Sequence, residues 1–198
     1  MTRPSIILLP ALLAALPLSA CISFGAAPPP SLLTLTPAVS LPIGETTSSA
    51  TAPTIAISVP SFPQALATTR VPVKTSETSI AYVKDAQWSE PPARLFARLL
   101  ADTIAAKTGR VVLGGAQALG DQGARLSGEL RNFGADEASG DAIVSYEAVL
   151  KRGDGDGFEK RRFEAREPTG AISATSVGPA LNRAANRVAA DVAAWIGR

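Results

Sequence analysis

After Pro53 the apolar and polar positions fall into short alternating runs and two long helical stripes. TIAISVP, Thr54 to Pro60, alternates Ile55, Ile57 and Val59 with small residues, the period of a half-buried strand. RVPVKTSETSIAYVKD, Arg70 to Asp85, predicts two short strands around the polar turn from Thr75 to Thr78. In QWSEPPARLFARLLADTIAAKTGR, Leu95, Phe96, Leu99, Leu100, Thr103 and Ile104 form one helical stripe, with Arg94, Arg98, Asp102 and Lys107 largely elsewhere. Ser89 is the expected N-cap, Pro91 and Pro92 are expected in the first turn, and Gly109 is a natural stop.

Val111 to Leu113 is short and apolar, and Gly114 to Gly123 is a glycine-rich loop. Three longer strands are predicted at Ala124 to Phe133, Ala142 to Arg152 and Phe158 to Arg166. The last is mostly charged, which suits an edge or a solvent-facing strand. From Thr175 to Ile196 the residues Val177, Leu181, Ala184, Ala185, Val188, Val192, Trp195 and Ile196 repeat at helical spacing. The polar face of that helix carries Asn182, Arg183, Asn186, Arg187 and Asp191.

Helices with one apolar stripe, among strands with one apolar face, make a two-layer sandwich of the α/β class in its α+β form. Strand follows strand more often than strand follows helix. The sheet is therefore expected to be mostly antiparallel or mixed, with two long amphipathic helices on one face, in a single domain spanning 54–198.

The N-terminus has a different character. Arg3 precedes an apolar stretch from Ile6 to Leu18, too short for the roughly 20 residues that cross a bilayer and weakened by Pro10 and Pro17. It ends in LSAC, which has the form of a bacterial lipobox: an aliphatic residue, two small ones, then cysteine. On this reading residues 1–20 are a lipoprotein signal peptide cleaved between Ala20 and Cys21, and the Cys21 thiol takes a diacylglycerol. At about 0.8 kcal/mol per buried methylene, several acyl chains anchor a protein stably. The alternatives are an ordinary signal peptide ending on a chance cysteine, or a buried helix with a free thiol. Ile22 stands where an aspartate would signal inner-membrane retention, which favours the outer membrane. Residues 21–53 are rich in Pro, Ser, Thr and Ala and read as a tether, in which SLLTLTP at 31–37 could add a first strand.

Composition narrows the chemistry. The chain of 198 residues has a net charge of +2 with both signs interspersed, so no basic stripe points to nucleic acid. Histidine is absent and cysteine occurs once, which excludes a Ser/His/Asp triad, an internal disulfide and a thiolate zinc cluster. GDGDG, Gly153 to Gly157, lacks the later ligands of a calcium loop, since Glu159 and Ala165 occupy its sixth and twelfth places; it reads as a tight turn. Gly114, Gly115 and Gly120 fit no phosphate-binding motif. Asp136, Glu137 and Asp141 read as solvated acids of a hairpin turn. Lys151, Arg152, Lys160, Arg161, Arg162 and Arg166 could meet anionic headgroups or an acidic partner, against the plainer reading of a hairpin balanced by Glu159, Glu164 and Glu167. Trp88 and Trp195, at helix ends, read as core plugs. No catalytic, cofactor or metal residue set is expected.

In this order, the lipobox LSAC, SLLTLTP, TIAISVPSFPQAL, the long run from RVPVKTSETS to IAAKTG and the C-terminal LNRAANRVAADVAAWI resemble the PqiC-like ABC-type transport auxiliary lipoprotein family. The most specific stretch is AYVKDAQWSEPPARLFARLLADTI, where family members carry a similar tyrosine, then a tryptophan and proline opening a long helix. Leu32 and Leu33 depart from the paired tyrosines usual in the family. The resemblance implies a non-enzymatic outer-membrane lipoprotein on the periplasmic face, held in outer-membrane lipid by acyl chains on Cys21. Its implied partners are a periplasmic protein of the mammalian-cell-entry (MCE) type and an ABC permease and ATPase complex. Together these would move phospholipid or other hydrophobic molecules between membranes; a homo-oligomer is a further implied state. The competing expectation is a structural lipoprotein that helps assemble or plug an outer-membrane β-barrel.

Overall fold

The computed structural model describes residues 31–153, 155 and 157–197. The expected signal peptide, with Ala20 and Cys21, lies outside the described residues, as do Asp154 and Asp156 of GDGDG. In chain order the elements are β1 (Thr54–Ile57), β2 (Arg70–Lys74), β3 (Ile80–Gln87), α1 (Pro92–Thr108), β4 (Val111–Leu113), β5 (Ala124–Asp136), β6 (Asp141–Lys151), β7 (Phe158–Pro168) and α2 (Ala174–Ile196). Short 3-10 turns occupy Gln64–Leu66 and Gly115–Ala118.

The sheet is mixed and has seven strands. β5, β6 and β7 form an antiparallel meander that fills one edge of β5. Along its other edge two short strands lie end to end, both parallel to it. β1 pairs with the start of β5, Ile55 opposite Ala124, and β2 pairs with its end, Val73 opposite Ala135. Between them Ser61 keeps the ladder going: its N–H donates to the Gly128 carbonyl at 3.0 Å and its carbonyl accepts from the Leu130 N–H at 2.8 Å. β4 adds in parallel outside β1, and β3 adds antiparallel outside β2.

Both helices cover one face, giving the α+β two-layer arrangement that the hydrophobic pattern predicts. A register shift after Leu130 keeps Leu126, Leu130 and Phe133 of β5 on that face, beside Val144, Tyr146 and Leu150 of β6 and Phe163 of β7. Aromatic rings tie the layers together. Phe96 of α1 packs edge-on against Phe133 and Tyr146, with centroids 6.3 and 5.3 Å away, and Trp88 packs against Phe133 at 5.4 Å. At the far end of α2, Trp195 meets Phe163 at 5.6 Å.

The start of α1 departs from expectation. Pro91, not Ser89, is the N-cap, with extended backbone at φ −51° and ψ 133°. A residue preceding proline is biased away from helical backbone, which favours an extended Pro91 and a helix that begins at Pro92. Ser89 instead donates its N–H to the Leu33 carbonyl at 2.9 Å. Gly109 ends the helix in left-handed backbone at φ 67°. α2 opens on a capping box in which Ser173 and Ser176 each bond the other's backbone N–H, at 3.3 and 3.1 Å.

Candidate functional site

SLLTLTP makes a single parallel bridge, Leu33 to Trp88, rather than a strand, and then crosses onto α2. The Leu33 N–H donates to the Gln87 carbonyl at 2.7 Å, and Leu33 and Leu35 pack on the core. Three positions one helical turn apart on α2 receive the segment. Gly178 leaves the space that Leu33 fills. Asn182 accepts from the Thr36 N–H at 2.9 Å, and Asn186 accepts from the Ala38 N–H at 2.6 Å while donating to the Thr36 carbonyl at 2.9 Å. The two asparagine side chains thus act as a sheet edge would, satisfying main chain that has no strand partner. Residues 33–38 are clamped along the outer side of the helix layer, and the chain ahead of them departs near the start of α2.

Among the described residues the opposite face of the sheet has no α-helix over it, and it carries a charge lattice. Glu147 is gripped by Arg131 from β5 at 2.9 Å and by Lys160 from β7. Lys160 is the first cause, and Arg131 a further one, holding the Glu147 carboxyl below its ordinary value. Higher on the face Arg162 bonds the buried Ser145 hydroxyl at 3.0 Å and Glu164 at 3.2 Å, while Arg166 takes the other Glu164 oxygen at 2.9 Å. Alternating charge along β7 also guards its free outer edge against pairing with other chains.

The candidates singled out in the sequence divide between these faces and the turns. Arg152 belongs to the helix side: it donates to Glu159 at 2.5 Å and to the last carbonyls of α2, those of Trp195 and Ile196, at 3.1 and 3.0 Å. Glu167, buried at 8% exposure, receives Arg183 and Arg187 of α2 at 3.2 and 2.7 Å. The acids of the basic hairpin are therefore all paired, but Glu167 serves the helix rather than the hairpin. Asp136 and Asp141 stand opposite each other at the β5–β6 turn, where the Asp136 carboxylate accepts from the Ser139 N–H at 3.1 Å; this is turn chemistry. Trp88 and Trp195 are both buried. Among the described residues no group of three or more His, Cys, Asp or Glu side chains could hold a metal, and no helix is long and apolar enough to cross a membrane.

Sequence reasoning missed the clamp. Asn182 and Asn186 read as solvent-facing, and their spacing alone does not separate a docking row from a wet face. The signal was Gly178 followed by Pro179: two residues that disfavour a helix interior stand inside this one, and Gly178 makes a seat.

The ABC-type transport auxiliary lipoprotein component family matches residues 34–193. No curated protein matches the chain. The crystal structure of protein XCC0632 from Xanthomonas campestris, a DUF330 protein, is similar at 16% identity with a TM-score of 0.69, over 84% of this chain and 94% of that one. The crystal structure of an uncharacterized protein is similar at 17% identity with a TM-score of 0.63, over 72% of this chain and 92% of that one. At these identities the likeness to the solved structures is one of fold.

Proposed function

The chain belongs to the family of ABC-type transport auxiliary lipoprotein components, and from that premise we propose that it is a non-enzymatic subunit tethered to the outer membrane on its periplasmic side. In this reading Cys21 carries the acyl chains, residues ahead of Leu33 form the tether, and the domain docks the periplasmic part of an MCE-type system. That system would move phospholipid or other hydrophobic molecules between the inner and outer membranes.

The observation that carries the reading is the clamp of residues 33–38 on α2. A domain held through its N-terminus transmits any pull into the first packed segment. Here that segment is fastened by main-chain bonds to a helix of the core, which suits a tethered adaptor. Asp136, Arg152 and Glu147 are engaged in a turn, a helix end and a cross-strand pair, which supports the non-enzymatic role.

The test is a Cys21→Ala variant with pull-downs from solubilised envelope. Loss of outer-membrane localisation in the variant, and recovery of an MCE-domain protein with the parent chain, are expected. Recovery dominated by β-barrel assembly proteins, with no transporter component, would overturn the reading.

A further inference from the structure

Among the described residues, the lower end of the helix-free face breaks the charge balance seen above it. Arg125 of β5 and Lys151 of β6 stand directly opposite each other, a like-charge pair of the kind that weakens a sheet. Arg125 donates to the main-chain carbonyl of Asp121 at 2.9 Å, while the Asp121 carboxylate is occupied by the Thr54 hydroxyl at 2.8 Å and the Gly123 N–H at 3.0 Å. Lys151 meets no carboxylate among the described residues. The next acids up the face, Glu129 and Glu147, are themselves opposed, and Glu147 is taken by Arg131 and Lys160.

Between the two cations and the turn Gly115–Ala118 runs a groove of about 690 Å³, within the roughly 300–1,000 Å³ usual for small-ligand sites. Its apolar lining includes Val59, Ala118, Val149 and Phe158. Phe158 is 71% exposed and Val59 54%, so large apolar side chains stand in water beside two cations that meet no carboxylate among the described residues. The strands beneath are hydrogen-bonded on both edges: β1 lies between β4 and β5, β5 has β1 and β6, and β6 has β5 and β7. β1, β5 and β6 leave no main-chain row beneath the groove to receive an extended peptide, so the recognition elements there are two cations and an apolar wall.

We propose that this groove binds an anionic amphiphile, with a phosphate or carboxylate headgroup between Arg125 and Lys151 and an acyl segment against Val59, Val149 and Phe158. The bound headgroup supplies a counter-charge to the opposed Arg125 and Lys151. This placement of side chains is independent of the identity of any transporter partner. The groove also lies at the end of the molecule remote from where the chain ahead of Leu33 departs, separated by most of α2, whose 23 residues span about 34 Å.

The full chain in neutral nanodiscs, exposed to water-soluble short-chain photoactivatable phosphatidylglycerol, should give adducts on peptides containing Val59, Val149 or Phe158. The same-chain phosphatidylcholine probe should label them far less. An R125Q/K151Q double variant should lower the phosphatidylglycerol yield about tenfold and melt no lower than the parent, since it relieves the opposed charges. Phe158→Ser, which keeps both cations, should also lower the yield. Equal labelling by the two lipids, adducts confined to other peptides, or a double variant that labels like the parent would each overturn the site. So would complete competition by glycerol phosphate, which would make the occupant a free anion, or by an acidic peptide, which would make it a protein.

Discussion

Gly178 and Leu33 share one space: a Cβ on the glycine would stand 2.6 Å from the leucine Cδ2. A helix position and a residue of the segment ahead of the domain are thus fitted to each other across the whole length of the fold. Consequences for stability follow from this fit and from the charged contacts around it.

Replacing Gly178 with leucine should expel Leu33 from its seat at a cost of about 1–3 kcal/mol, the usual range for overpacking. Limited proteolysis between residues 33 and 50 should accelerate in the variant. Leu33→Ala should restore part of the loss when combined with Gly178→Ala, and additivity of those two changes would show that the residues do not meet.

Asn186→Ala removes both side-chain bonds to Thr36 and Ala38. The expected cost is about 1–2 kcal/mol, with faster amide exchange at Ala38 and unchanged exchange in β6. Asn186→Asp keeps the acceptor for Ala38 and loses the donor to Thr36, so it should fall between the two.

Acid should loosen ion pairs on both faces of the sheet. The carboxyls of Glu147 and Glu159 are both held below the ordinary value of 4.5, first by hydrogen bonds from Lys160 and Arg152 respectively. A depressed folded-state pKa means stability that is fully present above 4.5 and lost as the pH falls below it towards the depressed value. Thermal melts between about pH 5 and pH 3 should show the midpoint falling, and Glu147→Gln should flatten that dependence. A midpoint that stays level in the parent chain would contradict the assignment of Glu147 to these cations.

Arg152→Met should fray the end of α2, because it removes donors to the Trp195 and Ile196 carbonyls together with the partner of Glu159. A loss of about 1–2 kcal/mol is expected, with amide exchange at Ala193 to Gly197 rising before that at Val177.

The fold was legible where pattern and environment agree. The stripes of α1 and α2 and the alternation in β6 follow from one-sided burial, and the sequence places them within a residue or two of where they lie. The start of α1 was not, because Ser89 is a good cap by type but Pro92 biases Pro91 away from helical backbone. The candidate surfaces were legible only in part. Lys151 and Arg125 are ordinary residues on their own strands, and their opposition exists only once the β5–β6 register is set. Asn182 and Asn186 likewise become a docking row only when a distant segment lies against them.

The end-to-end placement of β1 and β2 along a single edge of β5 also dictates an order of assembly. The meander β5–β6–β7 closes through nearby turns, whereas every contact of β1 and β2 with β5 must wait for a much later part of the chain. Refolding should therefore raise the meander first and leave one long edge of β5 as a template, along which residues 54–74 zip in two instalments joined at Ser61. Pulse-labelled exchange should find amides of β6 protected before those of β1 and β4.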